Sequence, residues 1–229
     1  MADKTEGGGL ILPEVIIGKD ARVDDGVRLG YLTGRKIKDH TLRIGDGACI
    51  RTGTVIYGGA TIGSGLATGH NVTIREENEI GDNFQVWNCT TIDYGCKIGS
   101  GVKIHCNCYI AQFTVIEDKA FMAPGVTIAN DIHPGCEFSG DCMKGPHIET
   151  GVEIGVNVTI LPFVRIGAHS VIGSGAVITK DIPPGSVVVG NPGRVICSIH
   201  DLNCQSGLTD KPYKGILIHG SAVPQEDER

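Results

Sequence analysis

The chain has 229 residues, a formal net charge of −6 and 34 glycines, and only 5% of its residues are aromatic. This length and composition predict a single large domain and argue against an ordinary α/β core, and the abundant glycine predicts many tight turns. Because binding to nucleic acid phosphates needs clustered Lys and Arg, the acidic balance and the lack of a basic run argue against nucleic acid as the main partner.

The start of the chain and its cysteines bear on location. Residues 1–9 are polar and include Asp3 and Glu6, without the charged-then-apolar layout of a secretory signal. No stretch approaches the roughly 18 apolar residues that a membrane span requires. The nine cysteines are an odd number with no Cys-x-x-Cys motif, which argues against a secreted disulfide framework. We therefore expect a cytoplasmic protein without a membrane span.

Aliphatic residues recur at every sixth position through the middle of the chain. The series runs from Ile44 to Ile128, and Thr68 alone departs from it. A period of six does not fit a helix, but it fits short extended segments separated by bends. Each hexad would form one side of a coil, with the aliphatic residue pointing inward and Gly, Asp or Asn making the turn. Stacked coils would then bury the aliphatic columns against one another.

Two offsets in the repeat predict loops. The period is also found at Ile17 and Val23, and it returns from Ile148 to Ile178. Twenty residues separate Ile128 from Ile148, which is not a whole number of hexads, so we predict a loop inserted at 131–147, with a second offset at 31–43. We expect a flexible N-terminus over 1–14, the repeat domain over 15–196 and a C-terminal extension over 197–229 whose last five residues are disordered.

The C-terminal hexads carry a family resemblance. The run from Ile172 to Gly185, followed by the segment from Val189 to Val195, resembles the hexapeptide-repeat acyltransferases, and the similarity spans about residues 15–196. The resemblance implies an all-β left-handed parallel β-helix with three hexads per coil, which is an exception to the right-handed crossover rule. It also implies a homotrimer that binds acetyl-CoA in the groove between subunits.

Within this family, the segments 103–110, 115–124 and 128–131 look most like the nucleotide-linked amino-sugar N-acetyltransferases. Those enzymes typically carry Gln-Asn-Asn, Tyr-Glu, Gly-Pro-Ser and Thr-Asn, where this chain has His105-Cys106-Asn107, Ala111-Gln112, Ala123-Pro124-Gly125 and Ala129-Asn130. The resemblance implies an acetyl-CoA-dependent acyltransferase whose small-molecule acceptor is a UDP- or dTDP-linked amino sugar for surface glycan synthesis. The departures at Ala111 and Gln112 weaken the acceptor assignment more than the reaction class.

Acetyl transfer from a thioester needs a base for the acceptor proton and a donor for the oxyanion. Among eight histidines, His133 is favoured because it opens the predicted loop, and related acetyltransferases carry a loop histidine before their last coils. We predict that Asp131 orients its imidazole and that Asn130 contacts the substrate. Two alternatives stay open: an acceptor amine that needs no protein base, and a structural zinc clamp made by His133, Cys136, Cys142 and His147.

Two further groups are candidates for binding. Residues eighteen apart should stack, which places Trp87 beside His105, where they would hold a nucleotide base; a solvent or trimer contact is the alternative. The resemblance places the acetyl-CoA contacts at Gly173, Ser174, Thr179, Lys180 and Arg194. One last set of residues would either meet an anionic acceptor or belong to an ordinary solvated loop: Arg35, Lys36, Lys38, Arg43, Arg75 and Glu76.

The same residues bear on three other functions. O-acetylation of a sugar or amino acid stays open within the same reaction class. A β-helical carbonic anhydrase needs two zinc-binding histidines five residues apart, but Arg75 and Ile110 follow His70 and His105 at that spacing. A non-catalytic scaffold would keep the hexads without needing Lys180, Arg194 or the inserted loop, so their presence favours an enzyme.

Overall fold

The computed structural model describes residues 14–218, and these residues are almost entirely β-structure. A flexible N-terminus was predicted for residues 1–14 and disorder for residues 225–229. Apart from residue 14, these positions lie outside the described residues. No helix within 14–218 is long and apolar enough to cross a membrane.

The strands of the described residues form three sheets. Sheet A contains β1 (Val15–Ile17), β4 (Leu42–Ile44), β7 (Thr61–Ile62), β10 (Glu79–Ile80), β13 (Lys97–Ile98), β16 (Val115–Ile116), β19 (His147–Ile148) and β22 (Arg165–Ile166). Sheet B contains β2 (Arg22–Val23), β5 (Cys49–Ile50), β8 (Ala67–Thr68), β11 (Gln85–Val86), β14 (Lys103–Ile104), β17 (Phe121–Met122), β20 (Glu153–Ile154), β23 (Val171–Ile172), β25 (Ser186–Val189) and β26 (Arg194–Ser198). Sheet C contains β3 (Arg28–Tyr31), β6 (Val55–Tyr57), β9 (Thr73–Ile74), β12 (Thr91–Ile92), β15 (Tyr109–Ile110), β18 (Thr127–Ile128), β21 (Thr159–Ile160) and β24 (Val177–Ile178).

The chain visits the three sheets in turn, so it winds as a three-sided coil. In the regular part each strand pairs in parallel with the strand eighteen residues later, as Glu79 does with Lys97 and Thr91 with Tyr109. One coil therefore consists of three hexads, as the family resemblance implied. An antiparallel hairpin of β25 and β26 follows the last coil.

The interior is filled by the columns that the hexad pattern predicts. Ile50, Ile56 and Ile92 are fully buried, and so are the small or apolar residues four positions further along each hexad, such as Ala60 and Val102. Inward stacking of these side chains on their neighbours stabilises each coil, since one coil cannot bury its apolar face alone.

Asn78, which breaks the series of small residues, is also buried. Its amide nitrogen donates to the Arg75 carbonyl at 2.9 Å, and its side-chain oxygen accepts from the Cys96 backbone nitrogen at 2.8 Å. A buried polar group is tolerated when it is hydrogen-bonded, so the hexad continues without a gap.

Both predicted offsets are seen as segments that leave the coil. Val115 pairs with His147 thirty-two residues later, because residues 129–146 leave the coil between β18 and β19. This loop contains one short helix, α1 (Ser139–Cys142). The sequence placed His147 in this loop, but it is the first residue of β19. Near the start, Val15 pairs with Leu42, because residues 32–41 leave between β3 and β4. A short 3-10 helix (Ile199–Asp201) follows β26.

Candidate active site

Several of the predicted site residues lie at one corner of the coil. It consists of the residues that follow each sheet C strand and lead into sheet A, and we call it the C–A corner. The parallel register of sheet C aligns Gln112, Asn130, Pro162 and Lys180 in one column. Because adjacent strands lie about 4.8 Å apart, the backbones of Asn130 and Lys180 are separated by two coils, or about 10 Å.

Asn130 is half-buried at the point where the inserted loop leaves the coil. Its side-chain amide donates to Gln112 Oε1 at 2.8 Å, which fixes the amide in the column. Its backbone carbonyl accepts from the Lys144 backbone nitrogen at 2.8 Å, so the same residue ties the returning end of the loop to the corner.

His133 is exposed in the loop, and Asp131 holds the loop's backbone. Asp131 Oδ1 accepts from the His133 backbone nitrogen at 2.9 Å, while Asp131 Oδ2 accepts from Ser139 Oγ. The carboxylate therefore fixes the turn that presents His133, and it does not contact the imidazole as the sequence led us to expect. The physical reason is local: an aspartate two residues before a backbone N–H readily closes an Asx turn onto it.

His147 lies outside this arrangement, on the outer face of sheet A. Its Nε2 lies 2.7 Å from Glu117 Oε1 and its Nδ1 lies 3.3 Å from Arg165 Nη1, so both ring nitrogens are engaged. Glu117 Oε2 also accepts from the Thr150 backbone nitrogen at 3.1 Å and from its hydroxyl at 2.9 Å. Partial burial raises the pKa of Glu117, but the bonds from Thr150 and His147 outweigh burial and hold the pKa below its ordinary value. These contacts anchor the strand to which the loop returns.

The hypothetical zinc ligands of the loop do not come together. Within residues 14–218, no group of three or more His, Cys, Asp or Glu side chains is arranged to hold a metal ion. A groove of about 800 Å³ on sheet A is lined by Glu79, Lys97, Glu117 and Thr150, and the residues predicted from the sequence for catalysis or binding lie elsewhere.

Trp87 and His105 lie at a different corner, where sheet B strands lead into sheet C. Both are half-buried at this B–C corner, in adjacent coils. The His105 ring packs edge-on against Phe121 with centroids 5.2 Å apart, and burial together with Lys103 lowers its pKa. The Trp87 Nε1 is buried and has no hydrogen-bond partner among the described residues.

The residues predicted for acetyl-CoA flank strand β24. Gly173 and Ser174 precede it at the B–C corner, and Thr179 and Lys180 follow it at the C–A corner. The backbone nitrogen of Gly193 donates to the Val177 carbonyl at 2.8 Å, which brings Arg194 beside the same strand. Lys180 and Arg194 are both exposed, so their charges are accessible to a phosphate.

Sequence reasoning missed a buried ionic cluster at the C–A corner, in the coils before Gln112. The Glu76 side chain is 0% exposed and contacts Arg35 at 3.0 Å, Arg75 at 2.9 Å and the Thr33 hydroxyl at 2.9 Å. Arg75 also pairs with Asp93 at 2.9 Å. Although burial raises the pKa of Glu76, bonds from its own backbone N–H and from these partners outweigh burial and lower the pKa.

The cluster changes the interpretation of the basic residues in the 31–43 segment. Arg35 is bound by Glu76 and Glu77, and Arg43 pairs with Asp39 at 2.9 Å. These arginines therefore neutralise carboxylates of the chain itself, and Arg35 fastens the segment to the coil. In the sequence, the adjacent pair Arg75-Glu76 is the only indication of this cluster, and it does not reveal that Arg35 is a partner.

Comparison with known proteins agrees with the repeat and the fold. Residues 95–130 and 145–180 match the family model described as bacterial transferase hexapeptide (six repeats). The chain is 16% identical to UDP-N-acetylglucosamine acyltransferase from Campylobacter jejuni. The match covers 77% of this chain and 75% of that one with a TM-score of 0.56, which shows a shared fold. Among curated proteins, none matches the chain.

Other solved structures match over shorter stretches. Serine acetyltransferase from Neisseria gonorrhoeae is 26% identical over 55% of this chain and 41% of that one, with a TM-score of 0.39. A hexapeptide-repeat acetyltransferase from Vibrio cholerae, solved with acetyl coenzyme A, is 25% identical over 55% of this chain and 69% of that one, with a TM-score of 0.41. The chain thus spans about two fifths of the length of the serine acetyltransferase.

The three parallel sheets, the matched repeats and the shared fold define the class of this protein. It is a left-handed parallel β-helix protein built from hexapeptide repeats, and the repeats at 95–130 and 145–180 are similar to those of bacterial hexapeptide transferases. The predicted fold class is confirmed.

Proposed function

We propose that this protein is an acetyl-CoA-dependent acyltransferase that N-acetylates an amino sugar carried on a nucleoside diphosphate, for surface glycan synthesis. The observation that carries the proposal is the column at the C–A corner. There the loop with His133, the fixed amide of Asn130 and the exposed Lys180 follow one another within two coils. A base, a polar substrate contact and a phosphate partner would each serve acetyl transfer from CoA.

In this proposal His133 takes the proton from the acceptor nitrogen as that nitrogen attacks the thioester carbonyl. The C–S bond then breaks, and the departing sulfur of CoA takes the proton from His133 and leaves as the free thiol. Asp131 acts as a positioning residue, because it fixes the backbone of His133 and bonds Ser139 at the same time. Asn130 is already oriented by Gln112 and is proposed to contact the acceptor or the thioester oxygen.

Acetyl-CoA is proposed to lie along β24, as the acyl donor. Gly173 and Ser174 would let its chain approach the backbone at one end of the strand, while Thr179, Lys180 and Arg194 would bind its polar groups. This placement puts the phosphates at the exposed cations Lys180 and Arg194.

A homotrimer is part of the proposal. Trp87 and His105 lie at the B–C corner, away from Asn130 and the loop, so one chain alone does not unite all the predicted residues. A groove between subunits, as the family resemblance implies, would bring a B–C corner of one subunit to the C–A corner of the next.

We further propose a cytoplasmic location, with residues 15–196 forming the acyltransferase domain and 197–229 an extension.

The direct test mixes the purified protein with acetyl-CoA and a panel of UDP- and dTDP-linked amino sugars, and follows release of free thiol. Matched nucleotide sugars with a hydroxyl in place of the amine distinguish N- from O-acetylation. Release that depends on one amino sugar supports the proposal and identifies the acceptor. Absence of both CoA binding and thiol release with every acceptor would refute an acyltransferase.

Replacing Lys180 with Ala should raise the KM for acetyl-CoA about tenfold or more and leave kcat little changed, because a charge-assisted bond to a phosphate contributes about 1.5–3 kcal/mol. Lys97→Ala is the matched control, since Lys97 is an exposed lysine on sheet A, 3.6 Å from Glu79. Steady-state kinetics with varied acetyl-CoA checks this, and equal KM values for the two variants would contradict the role of Lys180.

A further inference from the structure

Asn130 uses its side chain differently from an asparagine that only joins neighbouring coils. At the B–C corner, Asn88 Oδ1 accepts from the His70 backbone nitrogen one coil earlier, at 2.9 Å, so its oxygen is part of the stacking. The Asn130 side chain instead donates through Nδ2 to Gln112 Oε1 at 2.8 Å. Its oxygen is therefore not used to hold the coils together.

The Gln112 side chain has Asn130 as its one hydrogen-bond partner among the described residues. One coil earlier in the same column is Tyr94, whose ring packs on Phe113 with centroids 5.4 Å apart and lies 3.6 Å from the Arg35 guanidinium carbon. Gln112 and Asn130 are both only half-buried, so water could hydrate either amide. The bond between them is thus not needed to satisfy a buried group, and its effect is to orient the Asn130 amide.

This orientation leaves Asn130 Oδ1 as an unpaired acceptor. The side-chain amide is planar with nitrogen and oxygen on separate branches, so when Nδ2 bonds Gln112 the oxygen faces away from Gln112. The next residue of the column is Pro162, which has no backbone N–H to donate. Oδ1 is also not among the buried, unpaired side-chain atoms of the described chain, so it is open to solvent.

An unpaired acceptor suits one of the two reacting groups. The acceptor amine carries N–H donors, whereas the thioester oxygen can only accept. We infer that Gln112 is a positioning residue: by holding Nδ2, it presents Asn130 Oδ1 to an N–H of the acceptor amine. This inference rests on the proposed function and decides between the two contacts open to Asn130. The nitrogen keeps this hydrogen in the product, while His133 takes the other proton.

Gln112→Met and Gln112→Glu separate the orienting effect from the mere presence of a side chain. Met has a similar length but no oxygen for Nδ2, so we expect the amino sugar nucleotide to bind about 2- to 12-fold more weakly, the effect of one hydrogen bond. Glu keeps an oxygen that accepts from Nδ2, so affinity should stay close to that of the parent. Gln85→Met is the matched control, because Gln85 is a half-buried glutamine on the outer face of sheet B.

The measurement is isothermal titration, without acetyl-CoA, of the amino sugar nucleotide on which the parent releases thiol. The same nucleotide sugar with hydrogen in place of the amine is titrated alongside. The ratio of the two affinities in each variant cancels any effect of a new charge on the diphosphate. We expect Gln112→Met to lower this ratio and Gln112→Glu and Gln85→Met to preserve it, with thermal unfolding confirming that each variant is folded.

A double variant tests whether Gln112 acts through Asn130. Asn130→Leu alone should lower the ratio about tenfold or more, because a hydrogen bond to a charged group contributes about 1.5–3 kcal/mol. Adding Gln112→Met to Asn130→Leu should then lower it no further.

The role of Gln112 is overturned if Gln112→Met leaves the ratio unchanged, if Gln112→Glu lowers it as much as Gln112→Met, or if the double variant falls below Asn130→Leu. Each of these results would leave an active parent enzyme and so would refute this role alone. A parent that releases no thiol with any amino sugar would refute the proposed function, and this role with it.

Discussion

Replacing His133 with Ala should lower kcat for acetyl transfer about 100- to 10,000-fold, the usual contribution of a general base. His133 is exposed at the head of the loop, and Asp131 engages its backbone and not its ring, so the imidazole is available to an acceptor at the C–A corner. Binding of acetyl-CoA should be unaffected, because the proposed donor contacts flank β24 and lie outside the loop.

His147→Ala is the informative comparison, since it removes the other histidine associated with the loop. Both of its ring nitrogens are already engaged, by Glu117 and Arg165, so it has no free lone pair for a substrate proton. We expect its loss to act through the anchoring of the loop and to lower kcat far less. Thiol release measured at saturating acceptor and donor would decide the question. A fully active His133→Ala enzyme would show instead that the acceptor amine reacts without a protein base.

The fold was largely predictable from the sequence because one hexad encodes one side of one coil. The inward position of Ile56 and the stacking of Glu79 on Lys97 follow from the period of six and from parallel pairing at eighteen. The place where the loop leaves the coil was predicted from the broken period, although His147 is held in β19 by pairing with Val115 and Arg165.

The candidate site was predictable only in part, because it depends on contacts between segments distant in sequence. The motif around Asn130 led to the corner, but its bond to Gln112 comes from coil stacking. The bonds of Asp131 to the loop backbone, rather than to the imidazole, depend on how residues 129–146 fold locally, and no hexad governs that.

Replacing Glu76 with Gln should lower the free energy of unfolding at pH 7 by about 2–3 kcal/mol. The carboxylate is fully buried and joins Arg35, Arg75 and Thr33, and losing a buried charged hydrogen-bond partner costs about this much. Glu77→Gln is the matched control: Glu77 is 43% exposed and pairs with Arg35 alone, so its loss should cost less than about 1 kcal/mol.

The pH dependence gives the Glu76 prediction a second, independent measurement. Its pKa is lowered on folding, so its stabilising effect is complete above the ordinary value of 4.5 and is lost as the pH falls through the folded value. Urea unfolding at pH 7 and at decreasing pH should therefore show the stability gap between parent and Glu76→Gln closing in acid. A gap that stays constant, or is missing at pH 7, would contradict the role of the ionised carboxylate.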